Sequence, residues 1–200
     1  MFDIRHYPTE WISCGPLGRS AHLTLRPILP QDALPLARML QGLSPRTRQC
    51  RFHGGINPAS ALLLKGLTQV DFDQHMAFVV THREANADAI VAEARYVRDA
   101  ADPEAAEFAL LVDERWQRHG IGARMLGTLM QTARAQHLRW LHGEVLSDNQ
   151  PMLKLMQGCR FVCTPSHEDD GLVCAEKCLD TPTPAKARLS WPWQALRTAA

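Results

Sequence analysis

The sequence lacks the features that would place the protein in a membrane or on nucleic acid. No apolar run approaches the roughly 20 residues that a membrane-spanning helix needs. Residues 1–11 contain neither the charged start nor the apolar core of a secretory signal peptide. The 22 basic and 21 acidic residues give a net charge of only +1, whereas phosphate neutralisation requires a basic surface. These absences predict a cytoplasmic protein that binds neither membranes nor nucleic acid.

Signatures for nucleotides and metals are also missing or incomplete. The sequence contains no G-x-x-x-x-G-K-[ST] loop, and the third glycine of a G-x-G-x-x-G fingerprint would fall at Met125. The last four of the six cysteines form two C-x₃-C pairs, at 159/163 and 174/178. Zinc sites prefer tighter spacing in a defined loop, and Cys163 and Cys174 lie in apolar, strand-like pieces. We therefore expect buried thiols in a reducing compartment and no metal site.

The most informative stretch is a strand, a polar loop and a helix over residues 106–133. Residues 106–112 form an apolar run of strand length that carries one carboxylate, Glu107. Residues 113–119 are too polar for a core. From Ile121 onwards, apolar residues recur every fourth position, which is typical of an amphipathic helix.

The loop before this helix reads Gln-Arg-His-Gly-Ile-Gly from Gln117 to Gly122. Glycine lets several backbone N–H groups converge on one point, and the first N–H groups of a helix favour an anion. Nearby arginines, Arg118 and Arg124, add positive charge. The loop therefore predicts a pyrophosphate site, although Gly-x-Gly alone also fits a strand-to-helix turn whose glycines are needed only for packing.

Patterns before this stretch predict a hairpin, three helices and two strands. Extended pieces lie around residues 11–14 and 22–28, and helices are predicted at 30–43, from Ser44-Pro45, and from Asn57-Pro58 to about Gly66. The second helix has a basic face of Arg46, Arg48 and Arg51, which we expect to be solvated. Strands follow at 76–81 and 89–97. In the latter, Glu93 is expected to meet Arg95 or water.

Patterns after this stretch predict one more strand, a capped helix and a closing hairpin. The strand covers 138–146, and Asn149 is expected to cap the following helix with Pro151 in its first turn. The hairpin comprises 161–164 and 171–176. Residues 179–200 are rich in proline and alanine and contain Trp191-Pro192-Trp193.

The order of these elements resembles the GNAT superfamily of N-acetyltransferases over nearly residues 20–178. The segments LTLRPILPQDA, LSPRTRQCRF, LTQVDFDQHMAFV, AEFALLV, QRHGIG and SDNQPMLKLM further resemble the acetyltransferase domain of bacterial protein lysine acetyltransferases. The resemblance implies a single α/β (α+β) domain with a mixed, mostly antiparallel sheet flanked by helices. It implies a free-standing domain at 20–178, an N-terminal extension at 1–19 and a tail at 179–200.

The same resemblance assigns the site residues and the cofactor. Glu107 becomes the catalytic base, and acetyl-CoA the co-substrate. Backbone groups of Leu111 and Val112 would pair with the pantetheine amides, and Asn149 would touch the pantetheine arm. The implied acetyl-CoA site comprises Leu111, Val112, Gln117, Arg118, His119, Gly120, Ile121, Gly122, Arg124, Asn149, Met152 and Met156.

The chemistry of amine acetylation agrees with a carboxylate at Glu107. A lysine ammonium, with a pKa near ~10.4, must lose a proton before it attacks a thioester. A carboxylate within an apolar run can have its pKa raised by desolvation, although a strand-end carboxylate in water is the simpler alternative. Met156 stands where many family members have a tyrosine general acid, and Arg160-Phe161 replaces the usual Gly-Phe. Tyr96 is then the first alternative acid.

We expect from the sequence an acetyl-CoA-dependent N-acetyltransferase that acetylates a primary amine, in particular a protein lysine, by direct attack. One alternative is a small-molecule amine acetyltransferase with the same machinery. The other is a non-catalytic module that binds acetyl-CoA and senses it for a partner; Glu107 argues against this alternative, and Met156 leaves it open.

Overall fold

The computed structural model describes residues 7–17, 21–53, 56–84, 87–166 and 169–180, and these form eight strands and five α-helices. The strands are β1 (Ser13–Leu17), β2 (Ala21–Pro27), β3 (His75–Glu84), β4 (Ala87–Arg98), β5 (Ala105–Val112), β6 (Trp140–Leu146), β7 (Val162–Pro165) and β8 (Leu172–Cys178). The helices are α1 (Ala33–Gly42), α2 (Pro45–Phe52), α3 (Ala61–Thr68), α4 (Ile121–Ala135) and α5 (Gln150–Gly158).

All eight strands belong to one sheet in the order β1-β2-β3-β4-β5-β6-β8-β7. Each neighbouring pair is antiparallel except β5 and β6, which run parallel because α4 carries the chain back across the sheet. The predicted fold class, a mixed and mostly antiparallel sheet flanked by helices, is confirmed.

Two predicted helix starts are confirmed by side-chain caps. The Ser44 hydroxyl accepts a hydrogen bond from the Thr47 N–H at 3.1 Å, with Pro45 at the first helical position of α2. The Asn149 Oδ1 atom likewise accepts from the Met152 N–H at 3.3 Å and starts α5.

The predicted start of α3 is wrong by one turn. Asn57 forms a local turn in which its Oδ1 accepts from the Ala59 N–H, and Ser60 caps the helix instead. The buried leucines of α3 are Leu64 and Leu67, whereas Leu62 is 82% exposed.

The two faces of the sheet carry different helices. Leu110 and Val112 of β5 lie beside Gly122 at the start of α4, since an added Cβ there would be 3.5 and 3.8 Å from their side chains. The alternate face contains Glu93 and Arg95 of β4, and the Arg95 guanidinium donates to the Leu67 carbonyl of α3 at 2.9 Å. Helices α2 and α3 therefore cover the face opposite to α4.

The parallel ladder between β5 and β6 is short. Its register contains the three pairs Ala105–Trp140, Ala106–Leu141 and Glu107–His142, although β5 continues to Val112 and β6 to Leu146. The two strands therefore separate after Glu107, in the middle of the sheet.

The packed domain extends beyond both predicted limits. Ser13 of β1 pairs with Leu25 of β2, so the sheet begins before residue 20. Leu179 is 2% exposed, and its N–H donates to the Arg139 carbonyl at 2.7 Å. Trp191-Pro192-Trp193 lies outside the described residues. Within the described part of the chain, no helix combines the length and hydrophobicity needed to cross a bilayer.

We predict that Gly143→Ala destabilises the fold and Gly127→Ala does not. A Cβ at Gly143 would lie 2.9 Å from the Phe108 carbonyl oxygen, where β6 passes β5, whereas one at Gly127 meets nothing within 4 Å. Overpacking at the first site should lower the free energy of unfolding by about 1–3 kcal/mol. At Gly127, inside α4, alanine should raise the free energy of unfolding by up to ~1 kcal/mol. Urea unfolding measures the free energy of unfolding of both variants. Equal effects would contradict the close approach of β6 to β5 at Gly143.

Candidate active site

A cavity of about 800 Å³ lies at the separation of β5 and β6. Its walls are β5, the loop and first turn that start α4, the start of α5, and α2. Nine of the thirteen residues predicted for the site line it: Glu107, Leu111, Val112, Gln117, Arg118, Gly120, Gly122, Asn149 and Met152.

The other four predicted residues do not bring their side chains to this cavity. Ile121 is 5% exposed and Met156 is fully buried, so both belong to the core. His119 is exposed and is not among the residues that line the cavity. The Arg124 guanidinium hydrogen-bonds to the Ser13 hydroxyl of β1, and its burial lowers its pKa to about 10.

The start of α4 is arranged as an anion site. Helix α4 has no side-chain N-cap, unlike α2, α3 and α5. Arg118 and Gly120 have positive φ angles of 61° and 80°, which turn the loop back over the helix start. In the part of the chain that the structure describes, the N–H groups of residues 120–123 donate no hydrogen bond outside α4. These N–H groups and the Arg118 side chain could hold a pyrophosphate.

Glycine stands at the two positions of the loop for different physical reasons. Gly120 is needed for its left-handed conformation. At Gly122, an added Cβ would lie 3.1 Å from the Leu155 Cδ2 atom, so close packing of α4 on α5 accounts for this glycine. The packing alternative from the sequence therefore applies to Gly122.

Strand β5 offers backbone groups to the cavity. The Asp113 N–H donates to the Val91 carbonyl at 2.9 Å, and hydrogen-bonded pairs alternate along an antiparallel ladder. Leu111, opposite Glu93, therefore turns its backbone groups toward β4. Leu110 and Val112 turn theirs toward the cavity, where the Gln117 amide already donates to the Val112 carbonyl at 3.1 Å. The backbone groups of Leu110, and not those of Leu111, therefore face the cavity beside those of Val112.

Glu107 lies at the last pair of the parallel ladder and lines the cavity. Its side chain is exposed to solvent. The burial expected from the apolar run is therefore not observed, because the face that carries Glu107 has no helix over it here. Any role as a base depends on its position beside the cavity.

Glu93, the other carboxylate of the central strands, has a structural environment. It is 3% exposed, and its Oε1 accepts from the Arg95 Nε at 2.5 Å, as expected from the sequence. Its Oε2 lies 3.6 Å from the Arg51 guanidinium of α2. Burial and the adjacent Arg95 lower the pKa of His75 to about 4, so the neutral ring can accept from Arg95 at 2.9 Å. This cluster attaches α2 to the sheet.

The basic face of α2 is not solvated as expected. The Arg51 side chain is only 12% exposed. Arg48 donates to the Leu43 carbonyl at 2.7 Å and closes the end of α1. Of the three arginines on this face of α2, Arg46 alone is exposed, and it forms an ion pair with Asp148 in the loop before α5.

Helix α2 spans the front of the cavity, which the sequence did not indicate. The Ser44 N–H and the Thr47 hydroxyl donate to the Glu114 carboxylate at 3.0 and 2.5 Å on the α4 side, and these two bonds lower the pKa of Glu114. The Arg46–Asp148 pair connects its other side to the loop before α5. Cys50, Arg51 and Phe52 therefore line the cavity. The run of arginines was the only signal, and periodicity alone could not say what it faces.

No tyrosine lines the cavity among the described residues. Met156 is fully buried, and Tyr96 is also fully buried, with its pKa raised by burial. Tyr96 therefore cannot be the alternative acid considered from the sequence. The Cys50 thiol does line the cavity, and burial raises its pKa.

The sequence model of the acetyltransferase (GNAT) family matches residues 48–161. The chain belongs to this family. It therefore contains an acyltransferase domain of GNAT type. The match runs from α2 through the β5–α4 loop to the end of α5, and so contains nearly every wall of the cavity.

Two curated relatives resemble the chain across most of its length. Acetyltransferase Pat of Mycolicibacterium smegmatis is 34% identical over 155 residues, which are 76% of this chain and 44% of that protein. The chain thus corresponds to less than half of Pat. Acetyltransferase PA5475 of Pseudomonas aeruginosa is 30% identical over 153 residues, 76% of this chain and 81% of that protein.

A similar solved structure is the GNAT domain of S. lividans PAT. The TM-score is 0.76 at 25% sequence identity, and the match covers 86% of this chain and 99% of that one. The cAMP-binding acyltransferase from Mycobacterium smegmatis matches with a TM-score of 0.56 at 26% identity, covering 89% of this chain and 52% of that chain.

We predict that Arg118→Ala weakens acetyl-CoA binding and that His119→Ala does not. Both side chains are exposed neighbours, but only Arg118 lines the cavity. Loss of one solvent-screened contact to a phosphate should raise Kd about threefold to tenfold. Isothermal calorimetry at two salt concentrations measures this. Equal Kd values for the two variants would show that the side chain of Arg118 does not contact the phosphates.

Proposed function

We propose that the protein transfers the acetyl group of acetyl-CoA directly to a primary amine of a protein lysine, with Glu107 as the base. The observation that carries this proposal is the position of Glu107. It is an exposed carboxylate at the point where β5 and β6 separate, and it lines the cavity whose other end contains the start of α4.

The cavity is lined by charged groups of both signs, which suit the two substrates. Arg118 and Lys154 line it together with the N-terminus of α4. These positive groups suit the phosphates of coenzyme A. Glu107 and Glu144, on neighbouring strands, line it as well. These carboxylates suit an alkylammonium acceptor. A cavity with both features can hold acetyl-CoA and an amine together.

The proposed reaction needs one proton acceptor from the protein. Bound acetyl-CoA supplies an activated acyl group as its thioester. Glu107 takes the proton from the acceptor ammonium, directly or through water, and leaves a neutral amine. The Leu110 and Val112 N–H groups, which face the cavity, are placed to hold the pantetheine arm or polarise a carbonyl. Coenzyme A leaves as a thiolate and can take its proton from water, since a free thiol has a pKa near ~8.5.

A protein acceptor is supported by the openness of the site at Glu107. The strands beside it, β6 and β8, present exposed side chains on the same face, so a peptide could approach without unfolding anything. A metabolite enzyme would be expected to enclose its amine. The sequence resemblance to bacterial protein lysine acetyltransferases points to the same acceptor class.

We predict that Glu107→Gln lowers kcat about 10²–10⁴-fold and leaves acetyl-CoA affinity within about twofold, because the amide keeps the shape but accepts no proton. Turnover with a lysine peptide, measured from pH 6 to 9, should rise to a plateau in the parent enzyme. The residual rate of the variant should depend only on the ionisation of the amine.

Two other carboxylates are the controls. Glu144→Gln removes a second carboxylate that lines the cavity, and should lower kcat less than about tenfold. Glu93→Gln should lower the free energy of unfolding because its ion pairs are lost. At a temperature where this variant is folded, its kcat should change little. A near-normal Glu107→Gln beside an inactive Glu144→Gln or Glu93→Gln would show that another carboxylate is the base. A descending alkaline limb would indicate an essential acid, with Cys50 as the first residue to replace.

A further inference from the structure

An acidic surface continues from the cavity across the open face of the sheet. In the strand register, Glu107 lies opposite His142, and His142 lies opposite Glu176. Two residues further along β6, Glu144 shares this face. Glu107, Glu144 and Glu176, here called the acidic face, are all exposed.

The nearby side chains agree with this placement. Cys174 lies opposite Glu144 on β8, and burial together with the charges of Glu176 and Glu144 raises its pKa. The Nε2 atom of His142 lies 2.8 Å from the Oδ2 atom of Asp99. His142, which lies between two glutamates of the acidic face in the strand register, therefore already has an acidic partner. The face therefore has a negative balance on a chain whose overall charge is +1.

Exposed apolar side chains border the acidic face. Val97 lies opposite Glu107 and is 42% exposed, and Val162 lies opposite Glu176 and is 64% exposed. Trp140, on the same side of β6 as His142, is 40% exposed. None of the described helices covers these residues, so the face suits a segment that is both cationic and partly aromatic.

The chain itself contains such a segment. Residues 181–200 include Lys186, Arg188 and Arg197, two tryptophans and no aspartate or glutamate. The segment follows Asp180, directly after β8, which is one of the strands that form the acidic face. Its charge and its tryptophans complement both parts of that surface.

The geometry allows Lys186 to reach the cavity. Asp180 lies four residues after Glu176 and two residues past the end of β8, and Glu176 is two strands from Glu107. At about 3.3 Å per residue and about 4.8 Å per strand, Asp180 is about 16 Å from Glu107. The six residues from Asp180 to Lys186 span up to about 20 Å, and the lysine side chain adds to this.

We propose that the segment after Asp180 binds the acidic face of its own molecule and that Lys186 is acetylated there. This inference depends on the proposed function. In the step, the Lys186 ammonium gives a proton to Glu107, and its nitrogen attacks the thioester carbonyl. A C–N bond forms and the C–S bond breaks. The nitrogen loses its second proton to water, and coenzyme A leaves as a thiolate that takes a proton from water.

The test incubates the full chain with labelled acetyl-CoA and maps acetylation by mass spectrometry. The chain has only four lysines, Lys65, Lys154, Lys177 and Lys186, so every site can be followed. We expect label at Lys186 with a first-order rate that stays constant over a 100-fold range of protein concentration. Exposed Lys65 on α3 reports the uncatalysed background.

Three variants and a separate acceptor make the outcomes distinct. Lys186→Arg should keep peptide acetylation and lose self-acetylation, and Glu107→Gln should lose both. Glu176→Gln should slow labelling of Lys186 at least about threefold with unchanged acetyl-CoA affinity. Lys186 labelled no faster than Lys65 would overturn the inference, and so would a rate proportional to protein concentration. If peptide acetylation persists in either case, the proposed function stands; if all turnover is absent, both fail.

Discussion

The separation of β5 from β6 is the constraint on which the rest of the site depends. A sheet normally satisfies every backbone group of a central strand from both sides. Here the parallel ladder ends at Glu107 and His142, so the cavity-facing groups of Leu110 and Val112 have no β6 partner in the register. A ligand with amide groups can replace the missing strand, which is the principle of β-strand addition applied to a cofactor.

The other parts of the cavity follow from this separation. Helix α4 begins where β5 ends, and so its N-terminus points into the space between the strands. Asn149 starts α5 where β6 ends and closes the opposite wall. Helix α2 spans the front, held to the sheet by the Glu93–Arg95–Arg51 cluster and to both flanking loops by Glu114 and Asp148. Buried charges of this kind specify position more than they add stability.

The sequence was sufficient to predict most of the helices and strands and nine of the residues that line the cavity, because these depend on local signals. Apolar periodicity placed α4, caps placed α2 and α5, and the Gly-x-Gly loop indicated its helix start. The predictions failed where three-dimensional packing decides. Ser60 and Asn57 are both residue types that commonly cap helices, and the sequence alone did not distinguish them; Ser60 caps α3. Arg51 meets Glu93 from a helix distant in sequence, and Arg124 turns to β1 rather than to the cavity.

For Glu107, too, one property could be predicted from the sequence and another depends on tertiary structure. Its place on the central strand could be read from the apolar run, but its exposure depends on which parts of the sheet the helices leave open. Likewise, the alternation of side chains along β5 was predictable from the sequence. Which backbone groups face the cavity, those of Leu110 or those of Leu111, could be decided only from the register with β4.

The most direct test of this account is a crystal structure of the full chain with acetyl-CoA. The account predicts a pantetheine arm between β5 and β6, paired with the backbone of Leu110 or Val112. It also predicts a pyrophosphate within about 3 Å of the first N–H groups of α4 and a thioester on the side of Glu107. A coenzyme bound outside the β5–β6 separation, or a pyrophosphate held away from the start of α4, would contradict it.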